Sequence, residues 1–119
     1  MKVSEILNQK NVTLSLEVFP PKTSEQYEKT AAAAKKIAAL KPDFMSVTYG
    51  AGGGTGQYTA GIASEIQKEF GVPVLAHLTC VSSSREFVRD MVARYKSLGI
   101  ENILALRGDI PADGRLSDD

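Results

Sequence analysis

The sequence has a single cysteine and no long hydrophobic run, and both shortages limit the kinds of protein it can be. The one cysteine, Cys80, cannot form a disulfide within the chain, which favours a reducing compartment. No apolar stretch approaches the roughly 20 residues that a membrane-spanning helix needs. The first ten residues, MKVSEILNQK, lack the apolar core of a signal peptide. We therefore expect a soluble, cytoplasmic protein with no membrane partner.

An excess of charge of either sign is also missing. Fourteen Lys and Arg residues balance fourteen Asp and Glu residues, so no overall positive field is available to hold nucleic acid. The single histidine, His77, and the single cysteine are too few for a zinc site, and we expect no metal. A hydrophobic content of 43% and a charged content of 24% are typical of a folded domain.

A repeated strand–helix pattern is what the sequence does contain. Strands are predicted at 13–19, 44–48, 74–79 and 103–106, and helices at 2–9, 24–40, 57–70 and 83–98. Capping-box spacing opens the second and fourth helices, at Thr23 with Gln26 and at Ser83 with Glu86. This alternation predicts a parallel sheet covered by helices. The polar tail at 112–119 has no periodicity and is expected to be frayed.

Two architectures fit this order: an open doubly wound sheet, or part of a (βα)8 barrel. In each strand, one set of alternate residues is mostly apolar, such as Leu16 and Val18 or Leu104 and Leu106. The other set includes polar residues near the end of the strand. Such strands suit a barrel, with one face on the helices and the other inward. A full barrel needs about 250 residues. The strand composition therefore favours an α/β fold in which 1–119 supplies about half of a TIM-type barrel. Its open edge would belong to a larger domain or pair with a second copy, as a homo-oligomer.

Polar residues follow or end the strands, and the carboxyl ends of parallel strands share the edge where ligands bind. Glu17 in the first strand is a candidate general acid; a solvated strand glutamate is the alternative. His77 alone is more typical of a core histidine held by one hydrogen bond. Arg107 and Asp109 offer an anion-binding guanidinium and an acceptor carboxylate, or else a surface pair of little energetic value. Thr48 completes this polar edge.

The glycine-rich loop from Tyr49 to Gly56 matches neither common nucleotide-binding template. No Gly-Lys-Ser/Thr follows it, and Thr55 and Gln57 break the dinucleotide fingerprint. The loop therefore permits close approach of a ligand, or is merely flexible. A barrel enzyme that binds a phosphorylated metabolite through this loop and Arg107 is a further alternative.

Four segments taken together closely resemble the methylenetetrahydrofolate reductase family. They are LEVFPPK at 16–22, SVTYGAGG at 46–53, AHLTC at 76–80 and LALRGDIP at 104–111. The resemblance implies a (βα)8 barrel that binds FAD at the carboxyl ends of its strands. It implies reduction of 5,10-methylenetetrahydrofolate to 5-methyltetrahydrofolate, in one-carbon metabolism and methionine supply. NADH or NADPH would reduce the flavin and leave, and the folate would then take the same place.

The same resemblance implies roles for individual residues. Glu17 corresponds to the general acid that assists opening of the folate's five-membered ring, and Glu17 and Asp109 would contact the substrate. The implied flavin-binding positions are Thr48, Tyr49, Ala51, His77, Arg107, Gly108 and Asp109. Many members carry charged residues where this chain has Gly56-Gln57-Tyr58, which leaves the nicotinamide donor open. Later strands supply the rest of the family's site, so an inactive fragment or a half-barrel homodimer is the alternative.

Overall fold

Four parallel strands form one sheet in the computed structural model, which describes residues 1–49, 56–81, 83–110 and 112. The strands are β1 (Ser15–Val18), β2 (Phe44–Val47), β3 (Val74–Thr79) and β4 (Asn102–Leu106). The helices are α1 (Val3–Gln9), α2 (Tyr27–Ala38), α3 (Gly56–Phe70) and α4 (Arg85–Ser97), and a 3₁₀ turn at Ser24–Gln26 precedes α2. The predicted alternation of strands and helices is confirmed. Within the described residues, no helix combines the length and apolar character that crossing a membrane requires.

The order of the strands distinguishes the two architectures. The strands lie side by side in their sequence order, β1-β2-β3-β4, and each neighbouring pair is parallel. Right-handed crossovers that all step in one direction place their helices on one face of the sheet. A doubly wound sheet reverses direction and carries helices on both faces. The arrangement is therefore α/β and consistent with the first half of a TIM-type barrel.

The core lies between the sheet and its helices. Met45, Val47, Val74 and Ala76 point to the helix side and are completely buried. Helix residues with little or no exposure cover them: Ala34, Ala38, Ala60, Ile62, Ala63, Ile66 and Tyr95. Removing this apolar surface from water is the main stabilising contribution to the fold. Helix α3 packs against β2 and β3, and α2 packs mainly against α3.

The opposite face of the sheet, called here the inner face, is open. Leu104 and Leu106, the apolar alternate residues of β4, do not face the helices. Leu104 is paired with His77 and Leu106 with Thr79. Paired residues of neighbouring strands project from the same face, so both leucines lie on the inner face, where they are 38% and 37% exposed. Single-strand alternation could not reveal this, since it does not say which parity meets the helices.

The connections that lead from α2, α3 and α4 into the next strand share one backbone feature. Lys41, Gly71 and Gly99 each have a positive φ, of 56°, 67° and 76°. Each stands three residues before the next strand begins. A residue in this left-handed region commonly ends a helix, and glycine adopts it without strain. Lys41 is the exception in residue type, and its ammonium group donates to the Phe70 carbonyl and lies 5.8 Å from the centre of the Phe70 ring.

Helix α1 closes the end of the sheet where the strands begin. The Val3 amide donates to Asn102 Oδ1 at 2.9 Å, and the terminal ammonium of Met1 lies 2.9 Å from Glu101 Oε2. A cavity of about 520 Å³ lies here between α1 and the helix-to-strand connections. Its charged groups are paired with one another, Lys10 with Asp43 as well as Met1 with Glu101. The charged groups at this end of the sheet therefore satisfy one another within the protein.

Two helix starts differ from the capping boxes expected. Thr23 makes no capping hydrogen bond with its side chain, and the chain enters α2 through the 3₁₀ turn. Helix α4 is capped by Ser84, one residue later than Ser83, and Ser84 Oγ accepts from the Phe87 amide at 3.1 Å. Only Ser83 has a glutamate three residues later, but Ser84 has the extended backbone of an N-cap, and this conformation sets where the helix begins. The loop at 50–55 and, apart from residue 112, the tail at 111–119 lie outside the described residues.

Replacing Tyr95 by phenylalanine tests how α4 is attached to β3. Tyr95 is fully buried, and its hydroxyl donates to the His77 carbonyl at 2.9 Å. We expect Tyr95→Phe to lower the free energy of unfolding by about 1–2 kcal/mol, because a carbonyl loses its partner in a largely dry place. Urea denaturation measures the change. Tyr58→Phe, on a half-buried tyrosine of α3, is the control; equal stability of both variants would contradict the attachment.

Candidate functional site

The carboxyl ends of all four strands lie at one edge of the sheet because every strand pair is parallel. Glu17 in β1 is paired with Ser46 in β2, so their side chains are neighbours on the inner face. Ser46 is paired in turn with Leu75 in β3, and His77 lies two residues further along that strand on the same face. The register therefore brings Glu17, Ser46 and His77 within reach of one another.

Glu17 makes contact with both of these neighbours. Ser46 Oγ donates to Glu17 Oε1 at 2.8 Å, and His77 Nε2 lies 3.5 Å from the same oxygen. The His77 contact becomes an ion pair only when the imidazole is protonated. The His77 side chain is 12% exposed and that of Glu17 46% exposed. A sheltered imidazole thus faces a carboxyl group that remains open to a ligand.

Thr48 lies just beyond β2 and is held through its backbone. Its amide donates to the Val18 carbonyl at 3.0 Å, and its carbonyl accepts from Thr59 Oγ1 at 2.9 Å. Thr59 lies in α3 and is fully buried. These bonds fix the end of β2 between β1 and α3, with the Thr48 side chain half-buried on the parity of Ser46.

A cleft of about 380 Å³ lies where β3 and β4 end. The backbone pairing of these strands continues past their ends. The Cys80 amide donates to the Leu106 carbonyl at 2.8 Å, and the Val81 amide donates to the Arg107 carbonyl at 2.7 Å. Beyond this pairing the chain turns at Gly108, which has a φ of 85°. The cleft is lined by Tyr49, Thr79, Leu106, Gly108 and Asp109. It therefore combines an apolar wall with a carboxylate, a hydroxyl and a phenol.

Tyr49 is buried beside the first residue of α3, Gly56. Its hydroxyl has no hydrogen-bond partner among the residues that the structure describes. Burial raises the pKa of Tyr49, and the nearby Cys80 adds to the effect. The phenol therefore stays protonated at ordinary pH and can donate a hydrogen bond to a bound group.

Arg107 and Asp109 are both exposed, and the structure gives them different surroundings. Arg107 Nε donates to the neighbouring Gly108 carbonyl at 3.2 Å. Asp109 lines the cleft with Tyr49 and Thr79. No ion pair between Arg107 and Asp109 is found among the described residues, so the surface pair considered from sequence is not made.

The predicted site residues thus divide into three sets. Glu17 and His77 are in contact, and Tyr49, Gly108 and Asp109 share the cleft. Thr48 and Arg107 lie just beyond β2 and β4, which are separated by β3. Ala51 lies outside the described residues. Sequence reasoning did not include Ser46 or Thr79 among the site residues. The alternation within each strand could have identified both. Ser46 is two residues before Thr48 and Thr79 is two residues after His77, so each projects from the same side of its strand as a predicted site residue.

Comparisons with known proteins give one consistent result. The family model described as methylenetetrahydrofolate reductase matches residues 2–118. A relative from Pectobacterium carotovorum, named 5,10-methylenetetrahydrofolate reductase, is 41% identical over 106 residues, covering 89% of this chain and 36% of its own length. The enzyme of that name from Salmonella typhimurium is 38% identical, covering 92% and 36%. A rice protein named probable methylenetetrahydrofolate reductase (NADH) is 38% identical, covering 92% and 18%. The chain thus spans little more than a third of the two bacterial relatives.

Two glycine substitutions test the backbone that shapes the cleft. A Cβ added at Gly108 would lie 2.2 Å from Thr79 Cγ2 and 2.9 Å from Val81 Cγ1, whereas at Gly71 it would meet nothing within 4 Å. Both residues have positive φ. We expect Gly71→Ala to lower the free energy of unfolding by about 1–2 kcal/mol, the usual penalty of that conformation. Gly108→Ala should lower it further, because the clash adds to the same penalty. Thermal and urea denaturation measure both, and equal losses would contradict the close approach.

Proposed function

Because the chain belongs to the methylenetetrahydrofolate reductase family, we propose that it carries part of the site that reduces 5,10-methylenetetrahydrofolate to 5-methyltetrahydrofolate. Glu17 is the general acid of this reaction. The observation that supports the role most directly is the position of its carboxyl group, at the carboxyl end of the sheet and within 3.5 Å of His77. Carboxyl groups so placed are common proton donors in barrel enzymes.

The described residues fit a bound FAD. A flavin ring system is flat and apolar on its faces, with hydrogen-bonding groups at its rim, and needs a pocket of the same mixed character. Leu104 and Leu106 supply exposed apolar surface on the inner face. Tyr49 supplies a buried hydroxyl that has no partner in the described part of the chain. Asp109 supplies a hydrogen-bond acceptor that lines the same cleft as Tyr49.

We assign the flavin to the polar edge formed by the strand ends. The residues that would hold it are Thr48, Tyr49, Ala51, His77, Arg107, Gly108 and Asp109. When bound, FAD supplies the hydride that the folate receives. NADH is the donor we propose, since the rice relative carries that cofactor in its name. Asp109 also accepts hydrogen bonds from the amino and ring N–H groups of the folate's pterin.

The chain's own contribution to the chemistry is a proton. A protonated Glu17 donates to a nitrogen of the folate's five-membered ring as its bond to the bridging carbon breaks. That carbon is then electron-poor and accepts the hydride as a methyl group forms. The carboxylate left on Glu17 still accepts the hydrogen bond from Ser46 and lies near His77. It regains a proton from solvent, to which nearly half of the side chain is exposed.

Replacement of Glu17 by glutamine separates the two halves of the reaction. Glutamine keeps the size of the side chain, but its amide group is not acidic and cannot protonate the substrate. We expect Glu17→Gln to retain flavin reduction by NADH, followed with a quinone acceptor, and to lose folate reduction by roughly 100- to 10,000-fold. The protein is prepared as its gene encodes it and assayed for bound flavin by absorbance. Glu25→Gln, at an exposed glutamate of the 3₁₀ turn, is the control. Full folate activity in Glu17→Gln would make the acid assignment wrong.

The open inner face supports a second candidate, in which a further copy of the chain covers the sheet. Leu104, Leu106 and the strongly exposed Phe19 leave apolar surface on or beside that face. Strands β1 and β4 lie at the two edges of the described sheet, with backbone groups available for pairing. Light scattering on the purified protein distinguishes the candidates. A flavin-free homodimer favours a structural module, and a species that retains FAD and oxidises NADH favours the reductase.

A further inference from the structure

Ser46 is a largely buried polar residue in an otherwise apolar strand, β2. It lies in β2 with 9% of its surface exposed, and its hydroxyl donates to Glu17 Oε1 at 2.8 Å. The neighbouring inner-face residues in β2 and β3 are Phe44 and Leu75, both half-buried and apolar. A polar hydroxyl among apolar neighbours is most stable when it is hydrogen-bonded, and here its partner is the proposed acid.

Both contacts of the Glu17 carboxyl converge on the same oxygen. Ser46 Oγ and His77 Nε2 each lie close to Oε1, at 2.8 Å and 3.5 Å. Among the described residues, Oε2 has no hydrogen-bond or ion-pair partner. One oxygen is thus held by the protein and the other remains available.

The strand register explains why the side chain takes this position. Glu17 and Ser46 are direct partners, whereas His77 is two residues beyond the partner of Ser46. Glu17 must therefore extend across β2 and toward the carboxyl end of the sheet to approach the imidazole. A short side chain at position 46 leaves the path clear, and its hydroxyl holds the carboxyl group on the way.

We propose that Ser46 is a positioning residue, which holds Glu17 by Oε1 so that Oε2 carries the proton and delivers it to the substrate. The inference rests on the proposed function of Glu17 and extends it to an individual oxygen. A serine hydroxyl suits this task in both states of the acid. A protonated carboxyl group keeps one oxygen as an acceptor, and a carboxylate accepts at both. The Ser46 bond to Oε1 therefore persists while the proton leaves Oε2.

Three substitutions test the role, in the protein as its gene encodes it. Ser46→Ala removes the hydroxyl, Ser46→Thr retains it, and Ser15→Ala removes an exposed hydroxyl from the same face of β1, two residues before Glu17. We expect Ser46→Ala to lower the rate of folate reduction by roughly 10- to 100-fold, as misplacement of a reacting group does. Flavin reduction by NADH should be unchanged. Ser46→Thr should restore folate reduction, and Ser15→Ala should match the unsubstituted protein.

A second readout needs no activity. In the unsubstituted protein, in Ser46→Thr and in Ser15→Ala, nuclear Overhauser effects should connect the Glu17 side-chain methylene protons with the His77 ring protons. They should be lost in Ser46→Ala. If that variant does not fold, Ser46→Cys takes its place, because a thiol of similar size is only a weak donor.

The outcomes separate this inference from the function on which it rests. Wild-type folate reduction in Ser46→Ala, or retention of the contact between Glu17 and His77, would overturn the positioning role. An equal loss in both half-reactions would also overturn it, since that pattern indicates general damage. Absence of folate reduction in the unsubstituted protein would instead refute the proposed function, and the magnetic resonance measurement would still decide whether Ser46 holds Glu17.

Discussion

Parallel pairing of the strands in their sequence order is the constraint on which the rest of the structure depends. Each step from strand to helix to strand moves the chain in one direction across the sheet. Right-handed crossovers then place α2, α3 and α4 on a single face. The same pairing aligns the four carboxyl ends, so that residues far apart in sequence meet at one edge. The core and the candidate site are thus two consequences of one topology.

The two faces of the sheet have opposite character for this reason. The helix side is dry and tightly packed, with residues such as Met45 and Val74 fully buried. The inner face carries Glu17, His77 and exposed leucines side by side. Such a mixture is unfavourable for a core and suitable for a ligand that is itself apolar on its faces and polar at its rim. The helix-covered face therefore provides stability, and the inner face is the one on which we propose the binding site.

The two ends of the sheet also differ. Where the strands begin, α1 and the helix-to-strand connections pair their charges among themselves, as Lys10 does with Asp43 and Met1 with Glu101. Where the strands end, some polar groups retain bonding capacity. Glu17 uses one oxygen, and the Tyr49 hydroxyl has no partner among the described residues. Satisfied polar groups stabilise a structure, whereas groups with spare capacity are the ones that can act on a ligand.

The alternation of strands and helices, the family and the edge at which polar residues collect could all be predicted from the amino-acid sequence. These follow from hydrophobic periodicity, glycine positions and short motifs, all of which are local. The roles of Glu17, Asp109 and the flavin-binding residues stay predictions, because the motifs identify positions and do not measure chemistry.

The contacts between side chains became evident only in the folded chain. The bond from Ser46 to Glu17, the inward direction of Leu104 and Leu106, and the attachment of Tyr95 to the His77 carbonyl all depend on register and helix placement. Register relates residues that are far apart in sequence, 29 positions for Glu17 and Ser46 and 27 for His77 and Leu104. The pattern within one strand gives its two parities and leaves open which of them faces the helices. That choice is made when the strands pair and the helices pack, and it places the Glu17 carboxyl group on the open side of the sheet.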